Sequence, residues 1–336
     1  MKKTIFAFAL LFSLLLVSCS SQETVRSKTF YDYFDTVVTV SGCDADFDAT
    51  AAKIEEILKK YHLLCDIYGD GMLADVNENA GKTPVKVTDE LFELLTCAKE
   101  AYEKTNGKSN VAFGTVTLVW HEYRERALDG DVAVPTSEEL REAAEHTDID
   151  ALVLDEAEKT VFFRDPMLRL DLGAFAKGFV ADVIERELVS LGKTSYAISV
   201  GGTIVVTGEK PNGVGWIVGV ENPAPTSNEP YAARVVIDGG VTLATSGSYQ
   251  RFYELDGVRY HHIIDTETLA PKNEFLSVTV ASESAFVSDA FSTTIYCMSL
   301  EEGRLFADEN GVSVLWVLAD GTIEMTSDFE KMIKEP

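Results

Sequence analysis

Apolar residues recur along this chain at two different spacings, which predict a mixture of helices and strands. In the segment 46–68, Ile54, Leu58 and Tyr61 fall on one helical face. The segment 34–40 is instead rich in β-branched residues and predicts a first strand. Because the two kinds of segment intermix without a regular βαβ alternation, the pattern favours one large α+β domain over a doubly wound parallel sheet.

Capping and spacing signals predict further elements. Thr88 is a good N-cap for a second helix, which Asn106-Gly107 ends. Thr136 and Glu139 form a capping box that opens a short helix. The segment 109–120 reads as mixed loop and apolar residues. The other predicted elements are strands at 151–154, 160–163, 196–207, 215–220 and 233–238 and a helix from 288 to about 300.

The stretch 171–178, Asp-Leu-Gly-Ala-Phe-Ala-Lys-Gly, reads as a turn between a short strand at 167–170 and a helix. Gly173 allows a sharp turn or a close approach to a ligand. The N-terminus of the following helix favours a phosphate. Asp171 can accept hydrogen bonds from a ring or a sugar, and Lys177 can meet a phosphate charge. The alternative is a structural turn in which Asp171 caps the helix, and this stretch alone leaves both open.

Composition narrows the class of protein. The 336 residues carry a formal net charge of −26, with 29 Lys and Arg against 55 Asp and Glu. Such an acidic chain cannot supply a surface that neutralises phosphates, so nucleic acid is not an expected partner. Beyond residue 19, the cysteines match no zinc spacing and are too sparse for a disulfide framework.

The N-terminus predicts export and a lipid anchor. Met1-Lys2-Lys3 is basic, and the apolar run 5–17 is short for a membrane span. The run ends just before Cys19, which resembles a bacterial lipoprotein signal; the alternative is an ordinary secretion signal with an incidental cysteine. We therefore expect a signal peptide at 1–18, a tether at 19–28 and a domain at 29–334. The mature protein would be held by acyl chains on the extracytoplasmic side of the cell membrane.

Two further stretches could carry chemistry. His261 and His262 are adjacent and point to opposite faces of a predicted strand, which disfavours a metal pair but leaves one of them as a candidate site residue. Asp289 and Thr293 are neighbours on one helical face and could both reach a hard cation such as magnesium. The alternative for Asp289 is a favourable interaction with the helix dipole, and spacing alone favours that alternative.

Five motifs occur in this order and at these separations in one known family. They begin at Asp171, Ser199, Thr245, His262 and Ser288, and read DLGAFAKG, SVGG, TSGSY, HIID and SDAFST. The chain resembles the ApbE-type FAD:protein FMN transferases over nearly everything after the signal. The resemblance implies a T-fold-like core and a magnesium-dependent enzyme that splits FAD. Such an enzyme attaches FMN by a phosphoester to a Thr or Ser of an acceptor flavoprotein and releases AMP.

The resemblance also implies residue roles. His262 and Asp289 match catalytic positions, His262 as the group that assists the acceptor hydroxyl. The implied magnesium positions are Ala174, through its carbonyl, Asp289, Ser292 and Thr293. The implied FAD-binding positions are Phe34, Tyr68, Ser109, Asn110, Asp171, Lys177 and Ile263. Phe34 stands where many members have Met, and Ser109-Asn110 replaces a common Phe-Asp pair, so one nucleotide contact is changed.

Two alternatives stay open at this point. The same site could use water and act as a magnesium-dependent FAD pyrophosphatase that gives FMN and AMP. A non-catalytic, lipid-anchored flavin-binding protein is the second alternative, although it would need neither Asp289 nor Thr293. The acceptor protein, the number of magnesium ions and the oligomeric state do not follow from the sequence.

Overall fold

The computed structural model describes residues 24–224 and 229–334. The predicted signal peptide and Cys19 lie outside the described residues. The strands are β1 Arg26–Tyr33, β2 Thr36–Gly42, β3 Val85–Lys86, β4 Leu152–Asp155, β5 Thr160–Phe163, β6 Tyr196–Val200, β7 Thr203–Val206, β8 Trp216–Glu221, β9 Tyr231–Ile237, β10 Thr242–Gly247, β11 Phe252–Leu255, β12 Val258–His261, β13 Phe275–Ser282, β14 Ser313–Leu318 and β15 Ile323–Met325. The helices are α1 Phe47–Cys65, α2 Met72–Glu78, α3 Asp89–Lys104, α4 Gly114–Leu128, α5 Ser137–Ala144, α6 Ala176–Ser190, α7 Ala285–Tyr296, α8 Leu300–Asn310 and α9 Ser327–Met332.

An eight-stranded antiparallel sheet, in the order β1-β2-β6-β7-β10-β13-β14-β15, forms the centre of the fold. One face packs against the helices α1, α3, α6 and α7 through the larger apolar cluster. The other face packs against the β8–β9 hairpin and α9 through a second cluster. The predicted α+β class, a single large domain with antiparallel sheets flanked by helices, is confirmed.

The helices α6 and α7 cross at very close range. A Cβ atom added at Gly178 would lie 2.4 Å from the Ala285 carbonyl oxygen, so only glycine fits at this crossing. The backbone N–H of Gly178, near the start of α6, donates to Asp289 Oδ2 on α7 at 2.9 Å. In return, Asp182 on α6 accepts from the N–H groups of Ala285 and Phe286 at 2.6 and 3.1 Å. Each helix thus supplies the carboxylate that satisfies free N–H groups at the start of the other.

Several predicted elements are confirmed. The side chain of Thr88 caps α3, and the capping box of Thr136 and Glu139 opens α5. The first predicted strand begins two residues late, because Phe34 and Asp35 adopt positive φ angles of 55° and 49° in the turn before β2.

Two sequence predictions about local structure are wrong. The segment 167–170 is not a strand, because its backbone bonds to scattered partners: Leu170 exchanges two hydrogen bonds with the Asn77 side chain, and Arg169 accepts from Gly114. The segment predicted as mixed loop at 109–120 contains the start of α4. The apolar face of α4 packs in a small separate cluster with the β11–β12 hairpin. Only Gly114, Val116 and Trp120 of α4 are buried, so its apolar stripe is too short to give a clear helical period.

No helix among residues 24–224 and 229–334 has the length and apolar character that crossing a membrane requires.

Candidate active site

A cleft of about 380 Å³ lies between the start of α6, the middle of α7, the end of β10 and the segment after β12. Nearly all the residues implied by the resemblance line this cleft. They are Phe34, Tyr68, Ser109, Asn110, Asp171, Ala174, Lys177, His262, Ile263, Asp289 and Thr293. Ser292 does not line it: it is buried, and its hydroxyl bonds to Ser246 at 2.8 Å and donates to the Asp289 carbonyl at 2.9 Å. Its role as a ligand stays a prediction.

Asp289 is the buried acid at the base of the cleft, only 3% exposed. Its Oδ2 is fixed by the Gly178 N–H, and the Lys177 ammonium lies 3.1 and 3.2 Å from its two carboxylate oxygens. The helix-dipole alternative for Asp289 does not hold within α7, because α7 begins at Ala285 and its N-cap is Ser284. The carboxylate instead faces the start of a different helix and a cation.

Thr293 presents a second oxygen to the same region. Its hydroxyl lies 3.0 Å from the Ser246 hydroxyl of β10, and Ser246 also bonds to Ser292. The helix sets the spacing of Asp289 and Thr293 on one face. The contact with Ser246 joins α7 to the end of β10 and fixes the position of the Thr293 hydroxyl.

In the turn at 171–175, hydrogen bonds fix the orientation of the Asp171 carboxylate. Asp171 Oδ1 accepts from the Gly173 N–H at 2.8 Å, and its Oδ2 accepts from the Thr117 hydroxyl at 2.7 Å. Asp171 therefore does not cap α6, whose N-cap position is Phe175 without a side-chain cap. The Ala174 carbonyl accepts no hydrogen bond from the described part of the chain, so its oxygen is available at the cleft wall.

The two adjacent histidines have different roles. His261 is 2% exposed; its Nε2 lies 3.1 Å from the Lys272 carbonyl, and its Nδ1 accepts from the Ile263 N–H at 3.2 Å. Since a carbonyl can only accept, the proton of neutral His261 is on Nε2. His261 is thus a buried structural residue, although one edge of it reaches the cleft wall.

His262 lies beyond the end of β12 and faces the cleft. Its ring is accessible from the cleft but has protein around most of it. This desolvation, together with the positive charge of Arg251, lowers the pKa of His262 to about 3. His262 is therefore neutral at ordinary pH and can accept a proton.

Aromatic residues form part of the cleft wall. Tyr68 is half exposed, and its ring lies 5.4 Å from that of His121 at an angle of 34°. Asn110 is committed to the backbone, accepting from the Ala112 N–H and donating to the Thr147 carbonyl. Ser109 lines the cleft only partly, because its hydroxyl bonds to Thr294 at 2.5 Å. Both replacements of the common Phe-Asp pair therefore bind the protein's own atoms.

Three cleft residues could not be predicted from the sequence. Arg251 donates to the Asp35 carbonyl beside Phe34, Thr117 donates to Asp171, and His121 contacts Tyr68. None belongs to a motif, and all three contacts span more than 50 positions of the chain, so no spacing could have indicated them.

The fold and the cleft define a class of protein: a single-domain α+β protein with a nucleotide-sized site where a glycine turn, the start of α6, the Asp289 and Thr293 face of α7 and a neutral histidine meet. Residues 34–316 match the model of the ApbE family, and the chain belongs to that family.

The relatives have consistent names. A protein of Treponema pallidum (strain Nichols) named FAD:protein FMN transferase is 34% identical over 273 residues, which cover 77% of this chain and 74% of the relative. One of Klebsiella pneumoniae (strain 342) with the same name is 30% identical over 258 residues, 76% of this chain and 78% of the relative. The crystal structure of the ApbE protein of Thermotoga maritima has a TM-score of 0.83 and 25% identity, and covers 93% of this chain and 100% of its own. The flavin transferase ApbE of Vibrio cholerae has a TM-score of 0.78 and 26% identity, with 92% and 100% covered.

Burial of His261 predicts an effect of pH on stability. The folded protein resists protonating this residue until about pH 4, whereas the unfolded chain takes up the proton near pH 6.5. The free energy of unfolding should therefore fall as pH drops through this window, by up to about 1.4 kcal/mol per pH unit from His261. In denaturant titrations from pH 4 to pH 7, His261→Gln should flatten this dependence by about one proton. Parallel curves for the two proteins would contradict the assignment.

Proposed function

We propose that this protein is a magnesium-dependent FAD:protein FMN transferase. It splits FAD, attaches FMN through a phosphoester bond to a Thr or Ser of an acceptor flavoprotein, and releases AMP. One observation carries the proposal: a buried carboxylate, a lysine, a helix start and a neutral histidine converge in one cleft. The names of the relatives support the flavin transfer, and the geometry supports the division of roles.

The residues present fit a magnesium ion. No group of three or more His, Cys, Asp or Glu within 24–224 and 229–334 could hold a metal, so any ion here has few protein ligands. Magnesium suits that arrangement, since water and substrate phosphates complete its shell. The Asp289 carboxylate already faces a cation, the Lys177 ammonium, and the Ala174 carbonyl, which accepts no hydrogen bond within the described residues, lines the same cleft. Asp289, Thr293 and the Ala174 carbonyl would hold the ion, which would offset negative charge on the pyrophosphate and the departing AMP.

Lys177 and the start of α6 meet the phosphates. Lys177 contacts Asp289 and the Gly173 carbonyl, so its ammonium is held at the cleft edge of the turn. The N–H groups of Ala176 and Gly178 already donate to the Leu172 carbonyl and to Asp289, so the start of α6 acts on the phosphates through the positive end of its dipole. Together they orient the pyrophosphate, and such positioning supplies much of the rate of phosphoryl transfer.

His262 acts on the acceptor hydroxyl. It is neutral in the free protein because desolvation and, after it, the charge of Arg251 disfavour the protonated form. The pyrophosphate of FAD brings negative charge next to Arg251 and Lys177. This negative charge raises the pKa of the His262 ring toward the range of a useful general base. The hydroxyl then attacks the FMN phosphorus as its proton passes to the imidazole. The bond from phosphorus to the AMP oxygen breaks.

Asp289→Asn tests the metal assignment. The amide keeps the shape but loses the charge, so FAD cleavage and FMN transfer should fall together by about a hundredfold or more. Asp182→Asn is the matched control, because Asp182 serves the same crossing of α6 and α7 outside the cleft. It should lower the melting temperature but keep the magnesium dependence. Wild-type dependence on magnesium in Asp289→Asn would exclude Asp289 as a ligand.

His262→Ala tests the base. Transfer to the acceptor should fall by about a hundred- to ten-thousandfold, while FAD and magnesium affinities, measured by calorimetry, change little. His121→Ala removes the ring that contacts Tyr68 in the cleft wall. This variant should weaken FAD binding instead and leave the rate at saturating FAD near that of the wild type. Mass spectrometry of the acceptor scores the FMN addition. If His262→Ala lost FAD binding, the base would have to be another group.

We also propose the predicted export and lipid anchoring, which rest on the sequence around Cys19. Two or more acyl chains on this residue would hold the domain at the extracytoplasmic membrane surface, since one chain gives only marginal binding. An acceptor in the same membrane would then be within reach of the tether.

Cys19→Ser should release the protein from the membrane fraction or leave the signal uncut, because no thiol remains to carry lipid. Fractionation and the mass of the mature N-terminus measure both outcomes. A Cys19→Ser protein that is cleaved normally and still sediments with membranes would refute the anchor.

A further inference from the structure

The two-residue turn between β1 and β2 has an unusual sequence for its geometry. Tyr33 pairs with Thr36. Phe34 and Asp35 are therefore the central residues of the turn, and their φ angles are 55° and 49°. A hairpin turn with two positive φ angles favours sequences such as Asp-Gly, and a bulky residue such as Phe34 is strained there. The two-residue turn between β11 and β12 also has positive φ angles, but with the favoured sequence Asp256-Gly257.

Contacts from distant parts of the chain hold this strained turn in place. The Phe34 N–H donates to His62 Nδ1 on α1 at 3.3 Å. The Arg251 guanidinium, from the loop between β10 and β11, donates to the Asp35 carbonyl. Both contacts are made to backbone atoms of the turn, so they fix its conformation. Backbone strain of this kind persists only where the surrounding structure fixes the conformation.

The strained turn is part of the cleft wall. Phe34, Asp35, His62 and Arg251 all line the cleft. The Phe34 ring is partly buried and contacts His62 in a T-shaped arrangement, with ring centroids 5.8 Å apart and planes at 80°. A fixed aromatic ring can pack against a planar ring system such as those of FAD. The turn therefore places an aromatic ring in the binding site.

We propose that Arg251 is a positioning residue that sets FAD affinity by holding the Phe34-Asp35 turn in its strained conformation at the cleft wall. The inference rests on the proposed function, because FAD is the ligand that the turn would contact. The side chain is the part that acts on the turn. The Arg251 carbonyl accepts from the His262 N–H at 3.2 Å, and this backbone contact does not depend on the side chain. Without the guanidinium, the turn would relax toward negative φ and Phe34 would leave its position.

Arg251→Ala tests this role. The dissociation constant for FAD, measured by calorimetry without magnesium so that no FAD is cleaved, should rise about tenfold, because a charge-assisted hydrogen bond is lost. Loss of a positive charge near the pyrophosphate would also weaken binding, so the substitution is repeated in an Asp35→Gly background. Glycine adopts positive φ without strain, so the turn no longer needs Arg251 there. In that background Arg251→Ala should weaken FAD binding only about two- to threefold.

Asp256→Gly is the matched control. Asp256 has a φ of 52° and is exposed in the β11–β12 turn, outside the cleft. In this background Arg251→Ala should keep its full effect on FAD affinity. Equal losses in the wild-type and Asp35→Gly backgrounds would overturn the proposal and leave Arg251 a purely electrostatic role. An unchanged FAD affinity in folded Arg251→Ala would overturn it as well.

His62→Phe keeps the test available if Arg251→Ala does not fold. It removes the acceptor of the Phe34 N–H but keeps an aromatic ring, so it should weaken FAD binding, and Asp35→Gly should restore most of the loss. A loss that Asp35→Gly leaves unchanged would count against a strained turn. Failure of the proposed function looks different: the wild-type protein itself would not bind FAD.

Discussion

The close crossing of α6 and α7 is the contact on which the rest of the site depends. With no side chain at Gly178, the start of α6 lies directly on α7, and a Cβ there would overlap the Ala285 carbonyl. The exchange of carboxylates between the helices makes the crossing favourable, since Asp289 and Asp182 each satisfy N–H groups that have no partner in their own helix. The same Asp289 carboxylate faces the cleft, so the structural contact and the reactive site share one group.

The cleft contains several basic side chains although the chain as a whole is acidic. The protein has a formal net charge of −26, yet its cleft contains Lys177, Arg124 and Arg251. Local cations attract a dianionic pyrophosphate despite the acidic surface, because interactions are strong at short range and screened beyond about 10 Å. Desolvation, followed by the positive charges of Arg251 and Lys177, keeps the pKa of His262 low and the ring neutral.

Much of the site could be predicted from sequence because its residues lie in short motifs. Asp171 through Gly178 is one continuous segment, the turn before α6 and the start of that helix. Asp289 and Thr293 are one helical turn apart, so their spacing alone brings the oxygens of these two side chains together. The roles of His261 and His262 could be separated only in part. Strand alternation predicts that they point to opposite faces, but β12 ends at His261, and the hydrogen bonds of His261 to Lys272 and Ile263 are formed only in the folded structure.

The sequence by itself determined the α+β class, the capped helices and the family, because these follow from periodicity, capping chemistry and contiguous motifs. The tertiary structure alone decided that Asp289 meets the start of α6 rather than its own helix dipole, and that 167–170 pairs with Asn77 instead of forming a strand. It also decided that β10 and β7 pair at a single position, Leu243↔Ile204. These features join residues more than 30 positions apart, and no local pattern encodes which distant backbone groups will meet.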